Sequence, residues 1–129
     1  MTVLRLLVLD PSGILAWLVE HAAPVGVDVE GVTTLQEAER VVREQPPDAA
    51  VVSVPPGALP WRQFQHLCAI HRVPVLYESC VHRNAGDVGI DPADGTALFL
   101  GKPAPRGALR DALEQLLARV AIATPAQGH

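Results

Sequence analysis

The sequence has few of the features that mark secreted, membrane or nucleic-acid-binding proteins. Its only cysteines are Cys68 and Cys80, too few for a disulfide framework. Ten Lys and Arg residues stand against 14 Asp and Glu, and the basic residues do not cluster, so nucleic-acid binding by this segment is disfavoured. The apolar stretch 1–9 is too short for a signal peptide or a membrane span, contains Arg5 and runs directly into Asp10. We therefore expect a cytoplasmic protein without a membrane segment.

Motifs that carry catalysis or bind cofactors are missing as well. The sequence has no glycine-rich phosphate loop of the Gly-x-Gly-x-x-Gly or Gly-x-x-x-x-Gly-Lys type and no Gly-x-Ser-x-Gly elbow. A flavin phosphate would need a hydroxyl-rich loop after the first strand, and Pro11–Gly13 does not supply one. We therefore expect neither enzymatic activity nor a cofactor.

Histidines and cysteines in the middle of the chain raise the question of a zinc site, because imidazole and thiolate are zinc ligands. The group consists of His66, Cys68, His71, Cys80 and His82. His66 and His71 are five residues apart, whereas two histidines that chelate from one helix face are three or four apart. We expect no metal site, and we interpret Cys68 as a small core residue.

What the sequence does contain is a regular alternation of strand-like and helix-like segments. Short apolar runs predict five strands, at Val3–Leu9, Val27–Val32, Ala49–Val54, Val73–Tyr77 and Thr96–Leu100. Apolar residues at helical spacing predict a helix after each of the first three strands, the second of them opened by a Thr-x-x-Glu capping box at Thr34 and Glu37. The last helix carries a stripe with a 3.6-residue period, made of Leu109, Ala112, Leu113, Leu116, Leu117 and Val120.

One region of the alternation is less regular. Glycines, a proline and aspartates between Val81 and Gly95 predict a fourth helix that is short, distorted or absent.

In the first helix the apolar residues are Ile14, Leu15, Trp17, Leu18 and Ala22. We interpret Trp17 and Trp61 as packing groups, with exposure of Trp61 in a partner surface as the alternative.

Strands that alternate with helices predict one α/β domain, a five-stranded parallel sheet covered by helices on both faces. We place this domain at residues 1–121 and interpret 122–129 as a tail or the start of a linker. Ligand sites of such sheets lie at the carboxyl ends of the strands. The residues that the sequence delivers to that edge are Asp10, Pro11, Ser53, Ser79 and Lys102.

The order of segments and the strand ends resemble the receiver domain of two-component response regulators, over nearly the whole chain to about Val120. The segments that carry the resemblance are Leu6–Asp10, Asp48–Gly57, Pro74–Ser79 and Gly101–Pro103. The resemblance implies a flavodoxin-like (CheY-like) three-layer sandwich. It also implies a switch in which the hydroxyl residue after the fourth strand is coupled to an aromatic residue on the fifth, matched by Ser79 and Phe99.

The chain departs from that family at the phosphorylation site. In the family, a pair of acidic residues after the first strand holds Mg²⁺, and an aspartate that ends the third strand accepts a phosphoryl group. Pro11 occupies the second acidic position and Ser53 the acceptor position. Asp10 alone is a poor Mg²⁺ site, and a serine cannot form an aspartyl phosphate. Asp10 is then either a helix N-terminal anion or a residual metal ligand, and Lys102 either a remnant of the site that could pair with Asp10 or a solvated lysine.

These departures predict an atypical receiver, a pseudo-receiver that acts as a regulatory or protein-interaction module without phosphorylation, in a two-component or transcription-regulatory system. We expect it to bind a protein partner or a second copy through the face of the fifth strand and last helix, and an output domain could follow in a longer chain. The alternative is a sensor for a small anion or metabolite that uses the crevice around Asp10, Ser53, Ser79 and Lys102.

Overall fold

The computed structural model describes residues 4–53, 61–79, 97–101 and 107–123. Within these residues the chain forms five strands and four helices. They are β1 (Leu4–Leu9), α1 (Ile14–Ala22), β2 (Val27–Val32), α2 (Leu35–Glu44), β3 (Ala49–Ser53), α3 (Trp61–Ile70), β4 (Val75–Glu78), β5 (Ala97–Leu100) and α4 (Ala108–Ala123). All strand pairs are parallel, and the sheet order is β2-β1-β3-β4-β5.

All five predicted strands are confirmed, but the fourth is displaced: it spans Val75–Glu78, whereas the sequence predicts Val73–Tyr77. The fourth strand begins at Val75 and not at Val73, because the Val73 N–H donates to the Cys68 carbonyl at the end of α3 (2.8 Å) and Pro74 has no N–H to donate.

The capping box is also confirmed in part: the Glu37 N–H donates to Thr34 Oγ1 (3.1 Å), while the Glu37 carboxylate accepts from the Thr34 hydroxyl. The predicted fourth helix and the Trp61 side chain lie outside the described residues. Of the predicted tail, 122–129, the first two residues still belong to α4 and the others lie outside the described residues.

Helices cover both faces of the sheet, and each face has its own apolar core. Because side chains alternate along a strand, Leu7 and Leu9 of β1 pack toward α2 and α3, whereas Leu6 and Val8 pack toward α1 and α4. Strand β3 is buried on both faces in the same way. The edge strand β2 is half-exposed, with Asp28 and Glu30 in water, as its alternating sequence predicts.

Helix α1 differs from its prediction in which residues it buries. Leu15 and Val19 face the core, but the side chains of Ile14, Trp17 and Leu18 are 63%, 59% and 41% exposed. The interpretation of Trp17 as a packing group is therefore wrong. The sheet covers only one side of the helix, and it does so at close range: a Cβ atom added to Gly31 of β2 would lie 3.2 Å from the Ala16 Cβ. No second layer covers the opposite side, among the residues that the structure describes.

The turn that follows α3 contains a residue with a strained backbone. Arg72 has φ = 58°, in the left-handed region that favours glycine. Its N–H donates to the Ala69 carbonyl (3.1 Å), and the Val73 N–H donates to the Cys68 carbonyl (2.8 Å). This pattern is the Schellman motif, in which glycine normally occupies the position of Arg72. Burial of Cys68 and Val73 in one core cluster holds the motif in place.

Replacing the strained arginine tests this description. We expect Arg72→Gly to raise the free energy of unfolding by about 0.5–1 kcal/mol, because glycine adopts the left-handed conformation without the Cβ clash. Urea unfolding measures the change. Arg72→Ala is the control, since alanine keeps the Cβ atom and should bring no gain. An equal gain in both variants would mean that the arginine side chain, not its backbone, is unfavourable.

Candidate functional site

The carboxyl edge of the sheet brings together four of the five predicted site positions. Leu9 pairs with Val52 in the β1–β3 register, so Asp10 and Ser53 follow on neighbouring strands. Ser53 pairs with Glu78, and Ser79 comes next along the chain. Pro11 is exposed beside Asp10. The fifth position, Lys102, lies outside the described residues, so its pairing with Asp10 stays a prediction.

Asp10 is buried, and its carboxylate faces the start of α1. Oδ2 accepts hydrogen bonds from the Leu15 N–H (2.7 Å) and from the Ser12 hydroxyl (2.9 Å), and Oδ1 accepts from the Ser12 N–H (3.1 Å). Gly13 at the N-cap position, with φ = 77°, has no side chain to do this. Asp10 therefore satisfies the N–H groups that a helix leaves open at its first turn, where the helix dipole also favours a negative charge.

Ser12 extends this arrangement in a way that sequence reasoning missed. Its hydroxyl donates to Asp10 and accepts from the Ile14 N–H at 3.2 Å, so it links the carboxylate to the first helical residue. The signal in the sequence was the order Asp-Pro-Ser-Gly directly before an apolar helix, a pattern rich in capping and turn residues. Without the structure, Ser12 and Gly13 are only part of a loop that does not suit a flavin phosphate.

The oxygen donors at this edge do not fit Mg²⁺, the ion that the fold family would place there. Mg²⁺ requires carboxylates or other hard oxygens in near-octahedral geometry. The Asp10 carboxylate already accepts three hydrogen bonds from the α1 region, Pro11 has no side-chain oxygen, and Ser53 offers a neutral hydroxyl. The described residues also include no group of three His, Cys, Asp or Glu side chains that could hold a metal ion.

The two switch-like residues lie on neighbouring strands. Phe99 is half-buried and pairs with Tyr77 in the β4–β5 register. Ser79 is buried, and its N–H donates to the Leu100 carbonyl at 2.9 Å, which continues the pairing of β4 with β5 beyond Glu78. The backbone thus holds Ser79 against the end of β5, near the position of Phe99.

The histidines and cysteines of the sequence do not converge in the described part of the chain. Helix α3 directs Cys68 into the core, as predicted, and leaves His66 exposed. Cys80 and His82 lie outside the described residues. The described histidines and cysteine of this group therefore do not form a shared metal site.

The capping role of Asp10 leads to a stability prediction. We expect Asp10→Ala to lower the free energy of unfolding by about 2 kcal/mol, because it leaves the buried Leu15 N–H and the Ser12 groups without their acceptor. Thr34→Ala is the matched control: it removes an exposed cap from α2 and should cost about 1 kcal/mol. Both values come from urea unfolding. Added Mg²⁺ should leave the midpoint of the wild-type chain unchanged, and a rise that Asp10→Ala abolishes would instead assign Asp10 to a metal.

No protein-family model matches this sequence, and no curated protein sequence matches it significantly. None of the helices in the described part of the chain combines the length and apolar character that a bilayer crossing requires.

Solved structures do resemble the chain. A signal receiver domain from Vibrio parahaemolyticus matches with a TM-score of 0.72 and 17% identity, over 98% of this chain and 99% of that one. A two-component transcriptional regulator from Clostridium phytofermentans matches with a TM-score of 0.71 and 15% identity, over 96% and 99% of the two chains. The chemotaxis response regulator CheY4 of Vibrio cholerae matches with a TM-score of 0.68 and 19% identity, over 89% and 99%. The chain therefore has the CheY-like, flavodoxin-like fold of response regulator receiver domains, as the sequence predicts.

Proposed function

We propose that this chain is a receiver-like regulatory module that binds protein partners and works without phosphorylation. The observation that carries the proposal is the use of the Asp10 carboxylate. Where a phosphorylated receiver needs an acidic cluster for Mg²⁺, this carboxylate is held by the α1 N-terminus and Ser12. As a helix cap, the Asp10 carboxylate stabilises the start of α1, and this role does not require phosphorylation.

The chemistry at position 53 supports the same conclusion. Ser53 ends β3 and is half-buried at the edge of the sheet. An acyl phosphate forms on a carboxylate, whereas a serine hydroxyl is neutral and needs a nearby base to become a good nucleophile. Carboxylates lie on both neighbouring strands. Asp10 is occupied as a hydrogen-bond acceptor by α1, and Glu78, which pairs with Ser53 in the β3–β4 register, is half-buried and also has an interaction partner. We therefore propose no enzymatic activity and no cofactor for this chain.

A module that does not use phosphorylation must be switched by what it binds. A ligand or partner shifts a conformational equilibrium only by its difference in affinity for the two states. Strand β5 lies at the edge of the sheet opposite to β2, and its residues from Ala97 to Leu100 are all half-buried, whereas most residues of β1 and β3 are buried. We propose that a protein partner binds the face of β5 and α4 and biases the positions of Ser79 and Phe99.

The setting of the module is proposed from its structural neighbours, whose descriptions include a transcriptional regulator and a chemotaxis response regulator. In such a system the chain would act in the cytoplasm, and an output domain in a longer chain would read its state.

A sensor for a small ligand at the strand ends is the alternative. An anion at this edge would meet the Asp10 carboxylate, which already takes the favourable position at the α1 N-terminus. This repulsion disfavours the phosphate-like ligand that Lys102 would otherwise suit. A compound that raises the melting temperature of the wild-type chain, and fails to do so after Ser79→Ala, would favour the sensor.

Incubation with acetyl phosphate and Mg²⁺ tests phosphorylation independence. We expect intact-mass spectrometry to show no added phosphate, because no carboxylate occupies the end of β3. Beryllofluoride with Mg²⁺ should likewise leave the amide NMR spectrum unchanged. A receiver domain that has the acceptor aspartate serves as the positive control under the same conditions.

The type of any bond that does form separates the outcomes. Phosphate that depends on Mg²⁺ and is released by hydroxylamine would be an acyl phosphate, and it would overturn the proposal. Ser53→Ala is the matched variant: a phosphate that resists hydroxylamine and disappears in this variant is a serine ester, which would also show that the site is phosphorylated.

A further inference from the structure

Helix α1 exposes an apolar stripe that the fold does not use. The stripe consists of Ile14 and of Trp17 and Leu18, which follow it three and four residues later, and all three side chains are at least 41% exposed. Glu20 is the only charged residue in the helix besides the titratable His21. Surface helices normally place charged and polar side chains on the side that faces water. A contiguous apolar surface of this kind marks an interaction site.

Trp17 is held in place before any partner arrives. Its ring lies against the ring of His21, with 4.1 Å between the centroids. Nδ1 of His21 donates a hydrogen bond to the Trp17 carbonyl oxygen, 2.8 Å away, which fixes the imidazole relative to the helix. An aromatic side chain that is already ordered loses little conformational entropy on binding. Tryptophans of this kind are the residues that contribute most to the stability of protein interfaces.

A groove lies next to the stripe, between α1 and the first turn of α4. Its volume is about 430 Å³, and its apolar lining comes mainly from Leu15, Leu18, Leu100 and Leu109. A cavity of about 150 Å³ accepts a benzene molecule, so this groove has room for an indole ring. Arg110 lies at the groove. The same surface therefore carries both a protruding indole and a depression that fits one.

We propose that this surface joins two copies of the chain, with Trp17 of each copy seated in the groove of the other. A twofold-symmetric interface must be complementary to itself, and a protrusion beside a matching groove meets that requirement. At 100° per residue, Trp17 lies on the outer face of α1 between Glu20 on one flank and Leu18, with the groove, on the other. For each Trp17 to reach the groove of the other copy, the twofold axis must therefore run roughly parallel to the axis of α1.

Charge complementarity supports a second copy as the occupant. Glu20 and Arg110 are exposed on opposite flanks of the surface, and neither makes an ion pair with another described residue. An axis along α1 brings the Glu20 flank of one copy to the Arg110 flank of the other, twice in each dimer. Because stable interfaces bury about 800 Å² per partner and a nine-residue helix offers less, we expect a weak, concentration-dependent dimer.

This inference goes beyond the proposed function, because it adds a second copy of the chain as a partner. The surface it uses is centred on α1 and meets the face of β5 and α4 only at the groove, at Leu100, Leu109 and Arg110. The inference is also tested separately. A monomeric chain that carries no acyl phosphate would overturn the dimer and leave the proposed function intact, whereas a phosphorylated dimer would do the reverse.

Sedimentation equilibrium from micromolar to millimolar protein tests the dimer. We expect the wild-type chain to dimerise, and Trp17→Ala to raise the dissociation constant about tenfold or more. Ile70→Ala is the matched control, since Ile70 is equally exposed (61%) but lies on α3, across the sheet. Thermal unfolding checks that both variants fold. A wild-type monomer at all concentrations, or equal effects of both substitutions, overturns the proposal.

Charge reversal tests the geometry. Glu20→Arg and Arg110→Glu should each prevent self-association, because each puts like charges opposite one another at both flanks. Mixing the two variants should restore a dimer, since each Arg then faces a Glu. Failure of the mixture to associate, while the wild-type chain does, would overturn the proposed axis. A partner helix from another protein on this surface would leave the wild-type chain monomeric and so would overturn the proposal as well.

Discussion

Burial of β1 and β3 on both faces is the constraint on which the rest of this molecule depends. A strand that is apolar on both sides leaves water only when layers cover both sides of the sheet, and in the described part of the chain two helices lie on each face. Parallel pairing then aligns the carboxyl ends of the strands at one edge. Asp10, Ser53 and Ser79 meet there because Leu9 and Val52 are paired and Ser53 pairs with Glu78.

The edge illustrates how one geometry can serve two kinds of chemistry. Acidic residues at the end of a first strand lie close to the N-terminus of the following helix, whatever else they do. In this chain the Asp10 carboxylate accepts three hydrogen bonds from groups at or before that helix. The stability of α1 and the arrangement of the edge are therefore coupled through a single carboxylate. Since α1 also carries the exposed stripe, the same carboxylate positions the surface that we assign to a second copy.

Much of the fold follows from residue patterns. Alternation along β2 places Asp28 and Glu30 in water, and the uninterrupted apolar run of β3 indicates burial on both faces. The site could be predicted only as a set of positions at one edge. Hydrogen bonds of Asp10 depend on how the turn at Gly13 orients the helix, and no periodicity in the sequence reports that orientation. The left-handed conformation of Arg72 could not be predicted either, because arginine is not a residue type that marks a left-handed helix end.

By itself, then, the sequence determined the order of strands and helices, the apolar stripe by which α4 packs on the sheet and the hydroxyl side chain at the end of the third strand, Ser53. These are properties of local periodicity and of residue chemistry, which a chain carries before it folds. Only the tertiary structure decided that Leu15 and Val19 face the core while Ile14, Trp17 and Leu18 remain in water. The apolar residues of α1 span a wider arc of the helix than the sheet covers. Which part of that arc packs on the sheet depends on the residues of the sheet opposite the helix, such as Gly31, which lies beneath Ala16.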